Sequence, residues 1–181
     1  MIYKFFIGSE EAENFKLEID IDASDTFLRL RNAILEAAGY KHDQMDSFYI
    51  CDNEWNKEQE VTYTDMGTDP DEDIWLMEDT TLEELIEDEG QKIKFVFDYL
   101  TERYFYMRLK ETIPGKNLHD PLCSRKEGKA PQENIDFESY VTPPITKIDT
   151  SIDDIEEEFY GDEDFNEDEL TDFDEIDSEN L

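Results

Sequence analysis

The sequence is poor in the residues that carry most enzyme and metal chemistry. Its 181 residues include two Cys and two His, and 16 Lys and Arg against 51 Asp and Glu. The two cysteines, Cys51 and Cys123, are far apart, so neither a disulfide framework nor a Cys-x-x-Cys motif is indicated. Residues 1–8 are too short an apolar run for a signal peptide, and no run is long enough for a membrane span. We therefore expect a cytoplasmic protein.

Catalytic and metal-binding motifs are also missing. The sequence contains no Gly-x-Ser-x-Gly motif, P-loop or dinucleotide-binding pattern. His119 lies near Cys123, but active Cys–His pairs are usually distant in sequence, so we interpret Cys123 as a small packing residue in a loop. The acidic stretches 69–73 and 162–166 begin like calcium loops but lack the required glycine and closing glutamate. The sequence thus predicts no catalytic residue, no cofactor and no metal site, which indicates a protein that is not an enzyme.

Negative charge is abundant and unevenly placed. The formal net charge is −35, and residues 149–181 contain 17 acidic residues and no Lys or Arg, which leaves 34 acidic and 16 basic residues in 1–148. Such a charge repels nucleic-acid phosphates and anionic lipids, so direct binding to nucleic acid or to a membrane is not expected. A basic protein is the electrostatically favoured partner, and the alternative is that the charge serves solubility alone.

Hydrophobic periodicity predicts a domain with both helices and strands. A helix with a cap at 24–25 ends at Gly39, and a second short helix begins at 80–81 and ends near Gly90. Five aromatic residues within 97–106 are expected to form cross-strand pairs in the core. The predicted strands are 3–7, 15–21, 47–51, 60–63, 92–98 and 103–111.

A change in composition divides the chain. The Pro/Gly/Lys segment 121–131 has no periodic pattern, and the consecutive prolines within 141–144 stop both helices and internal strands. Beyond them the acidic composition cannot bury enough apolar surface to offset the ordering entropy. We therefore predict an α+β domain over 1–140, with a mostly antiparallel sheet and two helices, followed by a disordered acidic C-terminal tail over 141–181.

Several segments carry a family resemblance. They are Thr26-Phe-Leu-Arg-Leu-Arg-Asn-Ala-Ile-Leu35, Gly39-Tyr40, Phe48-Tyr-Ile50, Phe95-Val-Phe-Asp-Tyr99, Leu109-Lys-Glu111, Pro121-Leu-Cys123, Gly128 and Pro131-Gln-Glu133. Together they resemble the plasmid Orf-three-like family, which is named after an open reading frame of a root-inducing plasmid and also occurs in mobile-element passenger proteins. The resemblance spans about residues 1–135. It implies an α+β fold and a link to mobile elements, and it implies no established activity.

The chain departs from the family pattern at three places. Leu100-Thr101 stands where the family has Gly-Asp, and Arg103 and Phe105 stand where it has Trp and His. Gln44-Met-Asp46 replaces a His-x-His stretch. The resemblance therefore implies that a site built from those residues in relatives is absent from this protein.

Besides mimicry of DNA, which would need regularly spaced carboxylates on a rigid surface of the domain, two functional hypotheses remain. In the first, the chain is a non-enzymatic protein-interaction module, and aromatic residues of the acidic tail contact a basic partner: Phe159, Tyr160, Phe165 and Phe173. In the alternative, the domain binds a small molecule or is an enzyme, with a pocket near the 97–106 hairpin and the 121–133 loop. The residues predicted to line that pocket are Tyr99, Arg103, Tyr106 and Arg125.

Overall fold

The computed structural model describes residues 1–65, 67 and 74–134. Its strands are β1 (Ile2–Gly8), β2 (Lys16–Asp22), β3 (Ser47–Cys51), β4 (Lys57–Thr62), β5 (Trp75–Leu76), β6 (Lys92–Asp98), β7 (Arg103–Ile113) and β8 (Leu122–Glu127). Its helices are α1 (Phe27–Ala38) and α2 (Leu82–Leu85). The predicted tail, 141–181, lies outside the described residues, and no described helix has the length and apolarity to cross a membrane.

The strands form one sheet in the order β5-β4-β3-β6-β7-β1-β2-β8. Every neighbouring pair is antiparallel except β4–β5, which is parallel. The predicted strands 3–7 and 15–21 pair with each other, and Phe5 lies opposite Ile19 in their ladder. The α+β fold with a mostly antiparallel sheet and two helices is confirmed.

Both helices lie against one face of this sheet, which we call the covered face. The ring centroids of Phe27 in α1 and Phe48 in β3 are 5.3 Å apart, and Leu82 of α2 belongs to the same buried cluster. The rings of Phe97 and Phe105 approach to 4.7 Å in the centre of the sheet. Burying such side chains supplies most of the folding free energy, at about 1.5–3 kcal/mol each.

The start of α1 differs slightly from the prediction. Thr26 is the N-cap, one residue beyond the predicted cap, because the earlier polar side chains have other partners. The Asp25 carboxylate accepts a bond from Arg29 at 2.7 Å, and the Ser24 hydroxyl donates to the preceding turn. Gly39 ends the helix as predicted, in the left-handed region at φ 80°, where a side chain would be strained.

The strand β8 is a larger difference, because the sequence predicts a loop at 121–131. All six side chains of β8 are exposed, so the strand carries no apolar alternation. It is held by backbone pairing to β2 and by polar contacts to that strand, such as the Arg125–Glu18 ion pair at 3.3 Å. Cys123 is exposed on this strand, so its interpretation as a packing residue was wrong. A prediction from hydrophobic patterns cannot detect such a strand, because β8 forms by pairing with the otherwise unpaired edge of β2 and not through a pattern in its own sequence.

The second helix is shorter than predicted. It ends at Leu85 instead of near Gly90, because the Gln91 side chain competes for the backbone there. Its amide donates to the carbonyl of Leu85 at 2.8 Å, and its oxygen accepts the N–H of Glu87 at 2.9 Å. The strand predicted at 60–63 begins earlier, at Lys57, and β5 was not predicted.

Candidate functional site

The central strand β7 shows how the sheet divides its side chains between two faces. Phe105 and its alternate neighbours are buried on the covered face, whereas Tyr104, Tyr106 and Arg108 point to the opposite side. No described helix lies on that opposite side, which we call the helix-free face. The prediction that all aromatics within 97–106 build the core is therefore right for Phe97 and Phe105 and wrong for Tyr104 and Tyr106.

Aromatic rings cluster on the helix-free face around Tyr106. The Phe6 ring lies 6.3 Å from the Tyr106 ring, and the Trp55 ring lies 6.3 Å from it at an interplanar angle of 80°. Tyr106 lies flat across β1 because its strand partner there is Gly8. A Cβ on Gly8 would come within 2.4 Å of the Tyr106 hydroxyl oxygen, so only glycine leaves room for the ring.

Trp55 is held in place by a tight β3–β4 turn. The Asp52 carboxylate accepts the backbone N–H of Glu54 at 2.7 Å and that of Asn56 at 2.9 Å. The Asn56 side-chain amide also donates to this carboxylate at 2.8 Å, and this bond, together with the backbone ones, lowers the pKa of Asp52. Trp55 itself has φ 69°, a left-handed conformation that is uncommon for a bulky residue and that is often associated with functional sites.

Three cations lie beside these rings. The Lys92 ammonium is 4.9 Å from the Trp55 ring centroid, and the Lys94 ammonium is 4.8 Å from that of Tyr104. The Arg108 guanidinium lies 5.1 Å over the Phe6 ring. We call Lys92, Lys94 and Arg108 the cation row.

The cation row has an unusual arrangement. Lys92 lies directly opposite Arg108 in the β6–β7 ladder, and like charges in that position are destabilising. Elsewhere on this face the cations have partners, such as Lys57 with Glu102 and Lys110 with Glu18, each at 2.8 Å. Among the described residues, the cation row takes part in none of the ion pairs.

A cavity of about 380 Å³ opens between the rings. Its lining, which we call the aromatic slot, consists of Glu10, Trp55, Tyr104 and Tyr106. Glu10 is exposed at the rim, and burial together with the nearby Glu10 carboxylate raises the pKa of Tyr104. The slot therefore has aromatic walls, one carboxylate acceptor and neighbouring cations.

The structure places the four predicted pocket residues apart, and Tyr106 is the one among them that lines the aromatic slot. Tyr99 lies at the hairpin turn, where its hydroxyl bonds Ser47 and donates to Glu60 at 2.9 Å. Arg125 lies on β8, where it pairs with Glu127 at 2.7 Å.

Arg103 lies at the end of β7 and fixes the last described segment. Its guanidinium donates to the Glu11 carboxylate at 2.7 Å and to the carbonyl oxygens of Gln132 and Glu133 at 2.6 and 3.1 Å. Tyr40 adds a bond to the carbonyl of Pro131 at 2.7 Å. Hydrogen bonding to Glu11 raises the pKa of Arg103, so the group acts as a charged clamp within the domain.

The stretch that departs from the His-x-His pattern forms a buried ion pair. Arg31 and Asp46 are each 1% exposed, and the Arg31 Nε donates to Asp46 at 2.7 Å. Arg31 also donates to the carbonyl of Gln44 at 3.3 Å. The charged groups of Arg31 and Asp46 have their hydrogen-bond partners within the domain, which points to a structural role.

A larger cavity of about 740 Å³ lies beside the β3–β4 turn. Five carboxylates and one lysine are among its lining residues: Asp52, Glu58, Glu87, Asp88, Glu89 and Lys92. Within the part of the chain that the structure describes, no three His, Cys, Asp or Glu residues are placed to hold a metal ion. We assign no site to this acidic cavity.

The sequence contained a signal for part of the aromatic slot. Strict alternation in 103–110 separates Tyr104 and Tyr106 from Phe105, and extending that alternation along β7 would have placed both tyrosines on the outer face. Trp55, Glu10 and Lys92 are distant in sequence, and only the strand order brings them to the same place. The predicted contact residues Phe159, Tyr160, Phe165 and Phe173 lie outside the described residues.

Comparisons with known proteins agree with this architecture. The family model described as plasmid pRiA4b ORF-3-like protein matches residues 11–172. Among solved structures, the chain is similar to a protein of unknown function, MM3350, from Methanosarcina mazei Go1, with a TM-score of 0.53 and 14% identity over 69% of this chain and 68% of that one. At that identity the likeness shows the fold alone. No curated protein matches the chain.

Proposed function

The chain belongs to the plasmid pRiA4b ORF-3-like protein family, and we propose that it is a non-enzymatic binding module with a role in plasmid or mobile-element biology. Its contact surface is the helix-free face of the sheet. The observation that carries this proposal is the aromatic slot with the adjoining cation row.

Two physical properties support a binding role for this face. Small-molecule sites are concave, largely apolar and preformed, with a few placed polar groups, and the aromatic slot has that character. The cation row also departs from a local rule of sheet stability, since Lys92 and Arg108 are like-charged residues in directly opposite positions of the ladder. Such violations are expected where a sequence is selected for binding rather than for stability.

The composition of the slot argues for binding without catalysis. Its described lining offers three aromatic rings and one carboxylate, and none of these residues is a histidine, cysteine or serine. Nucleophilic catalysis needs an activated nucleophile, such as a thiol or a serine hydroxyl beside a base, and the described lining offers none. The arrangement supplies shape, ring faces and charge instead.

A co-purification experiment tests this proposal. Full-length wild type is compared with a Lys92→Ala/Lys94→Ala variant, and a Lys126→Ala/Lys129→Ala variant is the control with the same change of net charge. Proteins and small molecules that co-purify from source-cell lysate under nuclease treatment are identified by mass spectrometry. We expect wild type and control to retain the same molecules and the Lys92/Lys94 variant to lose them. Equal retention by all three proteins would contradict a contact surface on this face.

A second candidate function is the contact between the acidic segment and a basic protein. The charge division of the sequence supports it, since 149–181 holds 17 acidic residues and no Lys or Arg. We expect lower recovery of a basic partner when four residues of the full chain are replaced by Ser: Phe159, Tyr160, Phe165 and Phe173. A higher salt concentration should release the same partner from the wild-type protein. Unchanged recovery would leave the segment with a solubilising role alone.

A further inference from the structure

We infer that the aromatic slot binds a small planar heteroaromatic ring that carries an anionic group, as in a nucleoside monophosphate. The inference rests on the proposed function, because it names the ligand class of the same face. Three features are used in turn: the ring walls, the cation row and the Glu10 carboxylate.

The ring walls fit a single planar group. The cavity of about 380 Å³ lies within the range typical of small-molecule sites, roughly 300–1,000 Å³. Trp55 and Tyr106 are set 80° apart, so a ring stacked on one of them meets the edge of the other. Stacking of a base on an aromatic side chain is tolerant of base identity and accounts for about tenfold or more in affinity.

The cation row selects an anion. Three-sided aromatic sites also bind quaternary ammonium groups, through attraction of the cation to the ring faces. Here Lys92 and Lys94 already place their ammonium groups near the rings of Trp55 and Tyr104, at 4.9 and 4.8 Å. A second cation would be repelled, whereas a phosphate beside the Trp55 and Tyr104 rings would be attracted by Lys92 and Lys94, with Arg108 farther along the sheet over Phe6. Lys92 donates one hydrogen bond to the Asn53 carbonyl oxygen at 2.5 Å, and none of the three cations has an ion-pair partner among the described residues.

Glu10 adds selectivity among rings. Its carboxylate lies at the rim of the slot beside the Tyr104 hydroxyl and acts only as a hydrogen-bond acceptor when ionised. A carboxylate accepts well from an exocyclic amino group, the contact by which acidic side chains recognise cytosine. Adenine, cytosine and guanine carry such a group and uracil does not, so we expect the amino-bearing bases to be preferred.

The surrounding charge limits the ligand to a short one. Carboxylates lie on the strands to either side of the central strands that carry the slot: Glu18 and Asp20 on β2, and Glu58 and Glu60 on β4. With a formal net charge of −35, extension of a phosphate backbone across these strands would be repelled. A single nucleotide keeps its phosphate on the cation row.

The test uses the full chain and titration calorimetry with AMP, CMP, GMP, UMP, ribose 5-phosphate and inorganic phosphate. A Trp75→Phe variant leaves Trp55 as the single tryptophan, so quenching of its emission reports ring stacking. We expect AMP, CMP or GMP to bind at least about tenfold more tightly than UMP and ribose 5-phosphate, a difference of one well-placed contact. A single-stranded DNA oligonucleotide serves as the competing ligand class.

Variants locate the binding. Tyr106→Ala and Lys94→Ala should each weaken AMP binding by about tenfold, while Lys126→Ala on the distant strand β8 should leave it unchanged. Glu10→Ala should remove the preference for amino-bearing bases and retain binding. Circular dichroism melting of each variant separates loss of binding from loss of folding.

Four outcomes would overturn the inference: no binding of any nucleotide at millimolar concentration, equal affinity for phosphate alone, tighter binding of the oligonucleotide, or the same affinity in Tyr106→Ala. If nucleotides fail to bind while the Lys92→Ala/Lys94→Ala variant still loses its co-purifying molecules, the inference on ligand class fails and the proposed function stands. If both experiments fail, the helix-free face has no binding role.

Discussion

The two faces of the sheet use aromatic residues in different ways. On the covered face the rings of Phe48, Phe95 and Phe105 are fully buried and contact one another. On the helix-free face the rings of Tyr104 and Trp55 are partly exposed and have lysines beside them. The number of aromatic residues therefore does not distinguish a core from a binding surface. The residues that surround each ring make that distinction.

Charge follows the same division. The covered face holds few ionised groups, and those are paired, as with Arg31 and Asp46 at 2.7 Å. The helix-free face holds many charges, of which the cation row has no described carboxylate partner. A protein with 51 acidic residues thus concentrates positive charge at the centre of one surface.

The largest expected difference between the faces comes from two adjacent residues of β7. Phe105→Ala should lower the free energy of unfolding by about 4 kcal/mol, because it opens a cavity in the packed core. Tyr106→Ala should lower it by about 1 kcal/mol, since its ring is partly exposed. Urea unfolding of both variants measures the difference, and equal losses would contradict the assignment of the two faces.

Buried and exposed ion pairs should differ almost as much. Asp46→Ala leaves the Arg31 charge buried without a partner and should lower the free energy of unfolding by about 3 kcal/mol. Asp20→Ala removes a longer contact to Lys4, 3.9 Å on the helix-free face, and an exposed hydrogen bond from the Ser124 hydroxyl, and should change it by less than about 0.5 kcal/mol. Thermal melts of the two variants at equal ionic strength check this, and a small effect for Asp46→Ala would show that Arg31 finds another acceptor.

Gly8→Ala should disturb the helix-free face alone. Its new Cβ would meet Tyr106 ring atoms at 2.4–2.8 Å, so the ring must move, at a cost of about 1 kcal/mol. In the Trp75→Phe background the emission of Trp55 should shift, because the Tyr106 ring lies 6.3 Å from it. Combining Gly8→Ala with Tyr106→Ala should abolish that cost, and a cost that persists would place its origin in the strand backbone.

The smallest effect concerns pH. The hydrogen bond from Lys110, with help from Arg125, holds the pKa of Glu18 below its ordinary value of 4.5. The resulting stabilisation is fully present above that value and is lost as the pH falls through the lowered pKa of the folded state. Between about pH 5 and pH 3, wild type should lose up to about 1 kcal/mol more stability than Glu18→Gln. Parallel acid titrations of the two proteins by circular dichroism measure it; identical curves would show that Glu18 is not the group concerned.

Sequence patterns predicted the elements whose side chains alternate or recur, and missed those that the rest of the fold creates. The faultless alternation of 15–21 identified β2, and the glycine at Gly39 identified the end of α1. The strand β8 went undetected because its six exposed side chains carry no pattern. The candidate pocket was predicted between the 97–106 hairpin and the 121–133 loop, whereas the slot combines a residue of the β3–β4 turn, a loop residue and two residues of a central strand.

Periodicity, motif spacing and charge are local properties of the chain, so they identified the α+β class, the family and a strongly acidic C-terminal segment without any structure. Which aromatic residues lie in the core and which lie on the surface depends instead on the packed fold. Strand order placed Gly8 beside Tyr106 and Lys92 opposite Arg108, and the β3–β4 turn placed Trp55 beside them. Such meetings depend on register between distant segments, and a difference of one residue would turn each ring to the other face.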